Sequence, residues 1–177
     1  FDAPLKEAAN PAVPENPAKA PWYFLGLQEL VGYSAFMGGV GLPMFVLLGL
    51  GLIPYLDRER TETGRWFDSG ESSSVALVSL GVGLLVTLAV LVFTVRFGWI
   101  RNWWPGCPQL LIIMVNPGTL LMVTFMAHSV VVMRKTDSIR KAAVALFTTF
   151  VVAFVMLTYF ASVHRGPNWH FYWWPTM

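Results

Sequence analysis

Four long apolar runs, residues 34–56, 75–97, 110–133 and 142–163, dominate the chain, and Arg96 at the end of the second is the only Lys, Arg, Asp or Glu inside them. Each is close to the roughly 20 residues that a helix rising about 1.5 Å per residue needs to cross about 30 Å of hydrocarbon. A helix satisfies its backbone polar groups internally, so these runs predict four membrane-spanning helices. The charges fall between them. Residues 57–71 hold three Arg and five acids, residues 101–109 are rich in Trp and Pro, and residues 134–141 hold four bases and one acid.

The two ends read differently. Residues 1–21 carry Pro4, Pro11, Pro14, Pro17 and Pro21 among alanines and scattered charges, a composition that removes backbone donors and supplies little apolar surface. They are expected to form an extended segment lying on a partner. In residues 22–33, Trp22, Leu25, Glu29 and Gly32 are spaced as one helical face, which predicts a short interfacial helix. Residues 164–177 form an aromatic tail. The expected fold is therefore an all-α integral membrane protein of about four transmembrane helices, preceded by a Pro-rich segment and an interfacial helix, with residues 34–163 as the transmembrane domain.

Composition sharpens this picture. Hydrophobic residues make up 55% of the chain and charged residues 12%, a balance foreign to a soluble domain. Twelve Lys and Arg against ten Asp and Glu give only +2, without a basic block, so nucleic acid is excluded as an expected partner. A lone Cys107 rules out an internal disulfide framework and a Cys-x-x-Cys-His haem attachment, and with only three histidines no self-contained metal site is expected. The sequence starts at Phe1 with no basic-then-apolar leader, which reads as a processed or internal start.

Four crossings place Arg58, Arg60, Arg65, Arg134, Lys135, Arg140 and Lys141 on one face and Lys6, Lys19, Arg96, Arg101 and Arg165 on the other. The excess on the first face, concentrated in residues 134–141, predicts that it is cytoplasmic and that both termini lie on the outer, periplasmic side. Trp99, Trp103, Trp104, Trp169, Trp173 and Trp174 follow helix ends on the predicted outer face, where indoles favour the headgroup level.

Inside the runs, Gly38, Gly39 and Gly41 ahead of Pro43, and Ser79 with Gly83, predict close helix packing. His128 is expected to hydrogen-bond a neighbouring helix or sit at the interface rather than ligate haem, since no second histidine lies at a matching depth. His164 and His170 are expected to be solvated or at headgroup level, and Cys107 to be a small apolar filler.

The stretch of residues 16–30, Asn-Pro-Ala-Lys-Ala-Pro-Trp-Tyr-Phe-Leu-Gly-Leu-Gln-Glu-Leu, resembles the segment around the Pro-Glu-Trp-Tyr motif in the C-terminal half of cytochrome b, the separate subunit IV of photosynthetic complexes. It is most similar to the bacterial menaquinol:cytochrome c reductase type. Ile53-Pro54-Tyr55-Leu56-Asp57 continues the resemblance, and Arg165-Gly166-Pro167-Asn168-Trp169 is similar to the closing motif of those subunits. The resemblance implies a transmembrane subunit of a respiratory or photosynthetic quinol:cytochrome c oxidoreductase in the bacterial inner membrane. Such a subunit helps to form the outer-side quinol-oxidation pocket beside a haem-bearing cytochrome b. Implied partners are that cytochrome b-like subunit, a Rieske-type iron–sulfur protein or other electron-accepting subunit, cytochrome c and membrane lipid. Haem b and the iron–sulfur cluster belong to the partners; quinol binds at the subunit interface, and this chain alone carries no cofactor and is not an enzyme by itself.

Trp22, Tyr23, Phe24 and Leu27 are the expected quinol-binding surface. One departure matters: Pro21 stands where the family has the acidic residue of its motif, and proline cannot take a proton. Glu29 is the nearest substitute proton acceptor, and its alternative role is to pair with an Arg or Lys of a partner. The rival to a catalytic wall is an accessory membrane subunit of the same or an alternative quinol-oxidising complex. A small transporter would need polar groups within the spans, which these runs lack.

Overall fold

A computed structural model describes residues 10–12, 19–32, 34–57, 70–166 and 169–173, without the side chain of Arg101. The element order is α1 (Trp22–Val31), a π-helical turn (Met37–Gly41), α2 (Leu42–Leu56), α3 (Gly70–Phe97), α4 (Ile100–Trp103), α5 (Gln109–Met114), α6 (Pro117–Thr136) and α7 (Ile139–Val163). Among the described residues, four helices are long and apolar enough to cross a membrane: Met37–Leu56, which joins the π turn to α2, then α3, α6 and α7. The fold is all-α and of the multi-pass membrane type, with a single isolated antiparallel bridge, Arg165 to Phe171, among the described residues. Most of the Pro-rich segment, the loop with Arg58, Arg60 and Arg65, and Tyr33, Pro167, Asn168 and Trp174 lie outside the described residues.

Helix α7 is central, packing against α1, α3 and α6. Its buried face, Ala142, Ala145, Thr149, Ala153, Leu157, Phe160 and Ala161, repeats at helical spacing with small residues. Against it α3 sets Ser72, Ser79, Gly83, Thr87, Leu91 and Thr94. Two small-residue faces let the backbones approach closely, which is how helices associate where water supplies no hydrophobic drive. A Cβ at Gly83 would stand 3.2 Å from the Thr149 Cα. Helices α3 and α7 run parallel, since Glu71 pairs with Lys141 near both N-termini. A cluster of Leu30, Leu91, Leu121, Phe125, Leu157 and Phe160 fills the end nearest α1.

The third predicted run is not one helix. Pro117 lacks a backbone donor and its ring excludes the preceding turn, so the run breaks into α5 and α6. Asn116 caps α6, accepting from the Thr119 N–H at 3.1 Å while its Nδ2 donates to Ile113 O at 2.6 Å. At the other boundary, Gly98 ends α3 with φ +70, and a Cβ there would lie 2.6 Å from Asn102 Nδ2. The second run begins earlier than predicted, at Gly70, because Ser72 is buried and Glu71 is held by Lys141.

Of the glycines before Pro43, Gly38 brings the first span against α1, whereas Gly39 meets nothing within 4 Å and Gly41 faces Met37 of its own helix. A Cβ at Gly38 would lie 2.7 Å from the Val31 backbone nitrogen, so only glycine permits this crossing. Beyond it the helix stands apart, for α2 has no buried residue, and its far end is tied by Asp57, whose carboxylate accepts from Arg140 Nε at 3.0 Å.

Candidate functional site

Helix α1 lies across the C-terminal end of α7, and Gly26 makes this possible. Its Cα faces Thr158, Phe154 and Leu157, with only 3.0 Å from a built Cβ to Thr158 Oγ1. The entry to α1 is held by Gln28, whose Oε1 accepts from the Ala20 N–H at 2.8 Å, and by Lys19 Nζ, which donates to Ser162 O at 2.9 Å. The buried face consists of Leu25, Gly26, Glu29 and Leu30. Trp22 and Gly32, expected on that face, are exposed instead.

Glu29 is wholly buried. Its Oε1 accepts from Arg165 Nη2 at 2.5 Å, and its Oε2 accepts from Arg165 Nε at 3.0 Å and from Trp169 Nε1 at 3.0 Å. The partner is thus in the same chain. Arg165 also donates through Nη1 to Trp169 O at 2.9 Å and lies over the Phe160 ring, 5.2 Å from its centroid. A planar guanidinium can meet a carboxylate with two parallel bonds and still stack on a ring, which an ammonium cannot do.

A short return of the chain builds this clasp. The Tyr172 N–H donates to His164 O at 2.9 Å and the Gly166 N–H to His170 O at 3.0 Å. Trp169 adopts φ +60, a left-handed conformation costly for a bulky side chain, and so directs its indole inward. His164, expected to be solvated or at headgroup level, is half-buried: its Nδ1 lies 3.0 Å from Tyr172 O, and its ring packs with Phe160 and Phe171. His170 is exposed.

The expected quinol-contacting residues separate from Glu29. Tyr23 and Phe24 are exposed, as is Trp22, while Leu27 is half-buried. The rings form a chain, Trp22 edge-on to Tyr23 with centroids 5.7 Å apart and Tyr23 to Phe24 at 5.0 Å. Of the predicted tryptophan belt, Trp103, Trp104 and Trp173 are exposed, whereas Trp99 is buried and Trp169 is turned onto Glu29. Cys107 is buried and free.

At mid-bundle, Ser79 Oγ donates to Val75 O at 2.7 Å and lies 2.9 Å from His128 Nε2. With the hydroxyl proton committed to Val75, the imidazole is the donor in that contact. His128 therefore joins α6 to α3. No cluster of three metal-ligating side chains occurs among the described residues.

Sequence reasoning does not pair Arg165 and Trp169 with Glu29, although the sequence holds a clue. After residue 21, Glu29 is the only carboxylate on its face of the predicted topology, and Arg96, Arg101 and Arg165 are the bases there. A lone acid at a membrane interface needs one of them. Comparison with known proteins found no match to any family model, curated protein or solved structure.

Proposed function

We propose that the chain is a membrane-embedded subunit of a quinol:cytochrome c oxidoreductase, forming one wall of the outer-side quinol-oxidation pocket beside a haem-bearing cytochrome b-like partner. The observation that carries this reading is the meeting of two separate family-like stretches, since Glu29 of the first is clasped by Arg165 and Trp169 of the last. That junction leaves Trp22, Tyr23 and Phe24 of the same helix uncovered, an exposed group of edge-on and tilted aromatic rings whose faces and edges an aromatic quinol ring can pack on. Electrons would pass to a Rieske-type or other acceptor and on to cytochrome c. In this reading the membrane is the bacterial inner membrane, and the positively charged turn from Arg134 to Lys141 faces the cytoplasm, so α1 and the clasp face outward.

One observation favours the accessory reading. Both oxygens of Glu29 are already engaged, so taking up a proton there requires release of Arg165, and Pro21 offers no base. A subunit that retains the pocket wall but leaves proton transfer to its partner accommodates this.

The test is copurification from mild detergent. The complex is expected to contain haem b absorbance and to reduce cytochrome c with quinol, while the separated chain shows no haem band. Purification of this chain without any haem protein or quinol activity would sink the reading. A cysteine at Thr136, in a Cys107→Ser background, should label only from the cytoplasmic side.

A further inference from the structure

We propose that Arg165 and Trp169 are positioning residues for quinol, acting through Glu29 to set the rotation of α1 and hence the placement of its exposed aromatic surface. This rests on the quinol-pocket reading above. Phe24 lies five positions before Glu29, which at about 100° per residue puts it roughly 140° around the helix. Anchoring Glu29 on the inner side of α1 therefore presents Tyr23, Phe24 and Leu27 on the outer side.

Three features single out the clasp as the device that sets this rotation. Among the other contacts of the buried face, Leu25 and Leu30 are apolar and non-directional, and Gly26 sets how closely α1 approaches Thr158 without bonding it; Lys19 and Gln28 fix only the chain entering α1, and the N-cap residue Pro21 makes no side-chain capping bond. The clasp, by contrast, fixes direction with bonds from Arg165 Nε, Arg165 Nη2 and Trp169 Nε1 to one carboxylate. Trp169 further holds a strained left-handed backbone in which its carbonyl receives Arg165 Nη1 while its indole reaches Glu29. One residue thus braces both members of the ion pair. Neither residue is among the exposed rings on which quinol would pack, so their effect on binding passes through α1.

The experiment uses the assembled complex carrying Trp169→Phe, Arg165→Lys or, as a control at the opposite end, Arg140→Lys. Trp169→Phe keeps an aromatic ring and loses the indole donor; Arg165→Lys keeps the charge and loses the planar fork. Each of the first two is expected to raise the quinol KM about five- to tenfold with kcat within about twofold, as loss of a binding contribution common to ground and transition states does. The control should leave both constants unchanged. In parallel, a nitroxide at Tyr23→Cys in a Cys107→Ser background should gain mobility with Trp169→Phe. Unchanged KM in both clasp variants of an active complex overturns the inference and leaves the quinol reading standing. An equal rise with Arg140→Lys overturns it too, since the effect would be general destabilisation. Absence of quinol turnover in the wild-type complex removes the quinol reading and this inference with it, whereas an unmoved nitroxide removes only the inference. If Arg165→Lys fails to assemble, Trp169→Phe decides alone.

Discussion

Both ends of the helical bundle are fastened by ion pairs, but in opposite ways. At the α1 end Glu29 is fully buried and the Arg165 side chain 11% exposed, with an indole and an aromatic ring completing the enclosure. At the other end Arg140 and Asp57 keep 28% and 27% of their side chains exposed, and Glu71, paired with Lys141, keeps 58%. Burial separates a junction that fixes geometry from one that adds little. A buried pair is costly to break because the remaining charge has no solvent, whereas an exposed pair regains water when it opens.

The largest effect should come from half-removal of the buried pair. Arg165→Leu leaves Glu29 without its counter-ion and is expected to cost about 3–5 kcal/mol, measured by thermal unfolding in detergent; a cost like that of an exposed pair would erase the contrast. Next is Gly38→Ala at the crossing of α1 and the first span. Its Cβ would press on the Val31 backbone, costing about 1–3 kcal/mol, while Gly39→Ala, which meets nothing within 4 Å, should lack this steric cost. In the membrane interior, Ser79→Ala removes the acceptor of His128 and should cost about 0.6 kcal/mol, the usual size of an interhelical hydrogen bond in lipid. The smallest effect belongs to Asp57→Asn, at most about 1 kcal/mol and shrinking further at high salt. A double-mutant cycle on each pair would sharpen the comparison, with strong coupling expected for Glu29 and Arg165 and weak coupling for Asp57 and Arg140.

The spans were legible because their signal is one-dimensional: uncharged length is a property of contiguous residues. What escaped was local chemistry within that signal. Asn116-Pro117 lies inside an unbroken apolar run, where proline's missing donor outweighs hydrophobicity and splits α5 from α6. Ser72 to Ser74 lay outside the predicted run, which starts at residue 75, yet packing of Ser72 and the contact of Glu71 with Lys141 draw them into α3. At the candidate site, the aromatic character of Trp22 to Phe24 could be read directly. Which face Glu29 would choose could not, because that depends on an arginine and a tryptophan supplied by the opposite end of the chain. The same holds for Trp169, whose indole looked like a headgroup anchor until its left-handed backbone turned it inward.

The span of 136 positions between Glu29 and Arg165 also orders events during synthesis. At roughly 5–20 residues per second, the carboxylate waits on the order of ten seconds after translation before its counter-ion exists. Through that interval Glu29 must remain hydrated, so α1 cannot seat fully on a bundle whose last helix is still missing. A chain released before residue 165 would display an unshielded acid on the helix that carries the exposed aromatic rings. The clasp thus makes the final seating of one helix wait for a residue synthesised 136 positions later.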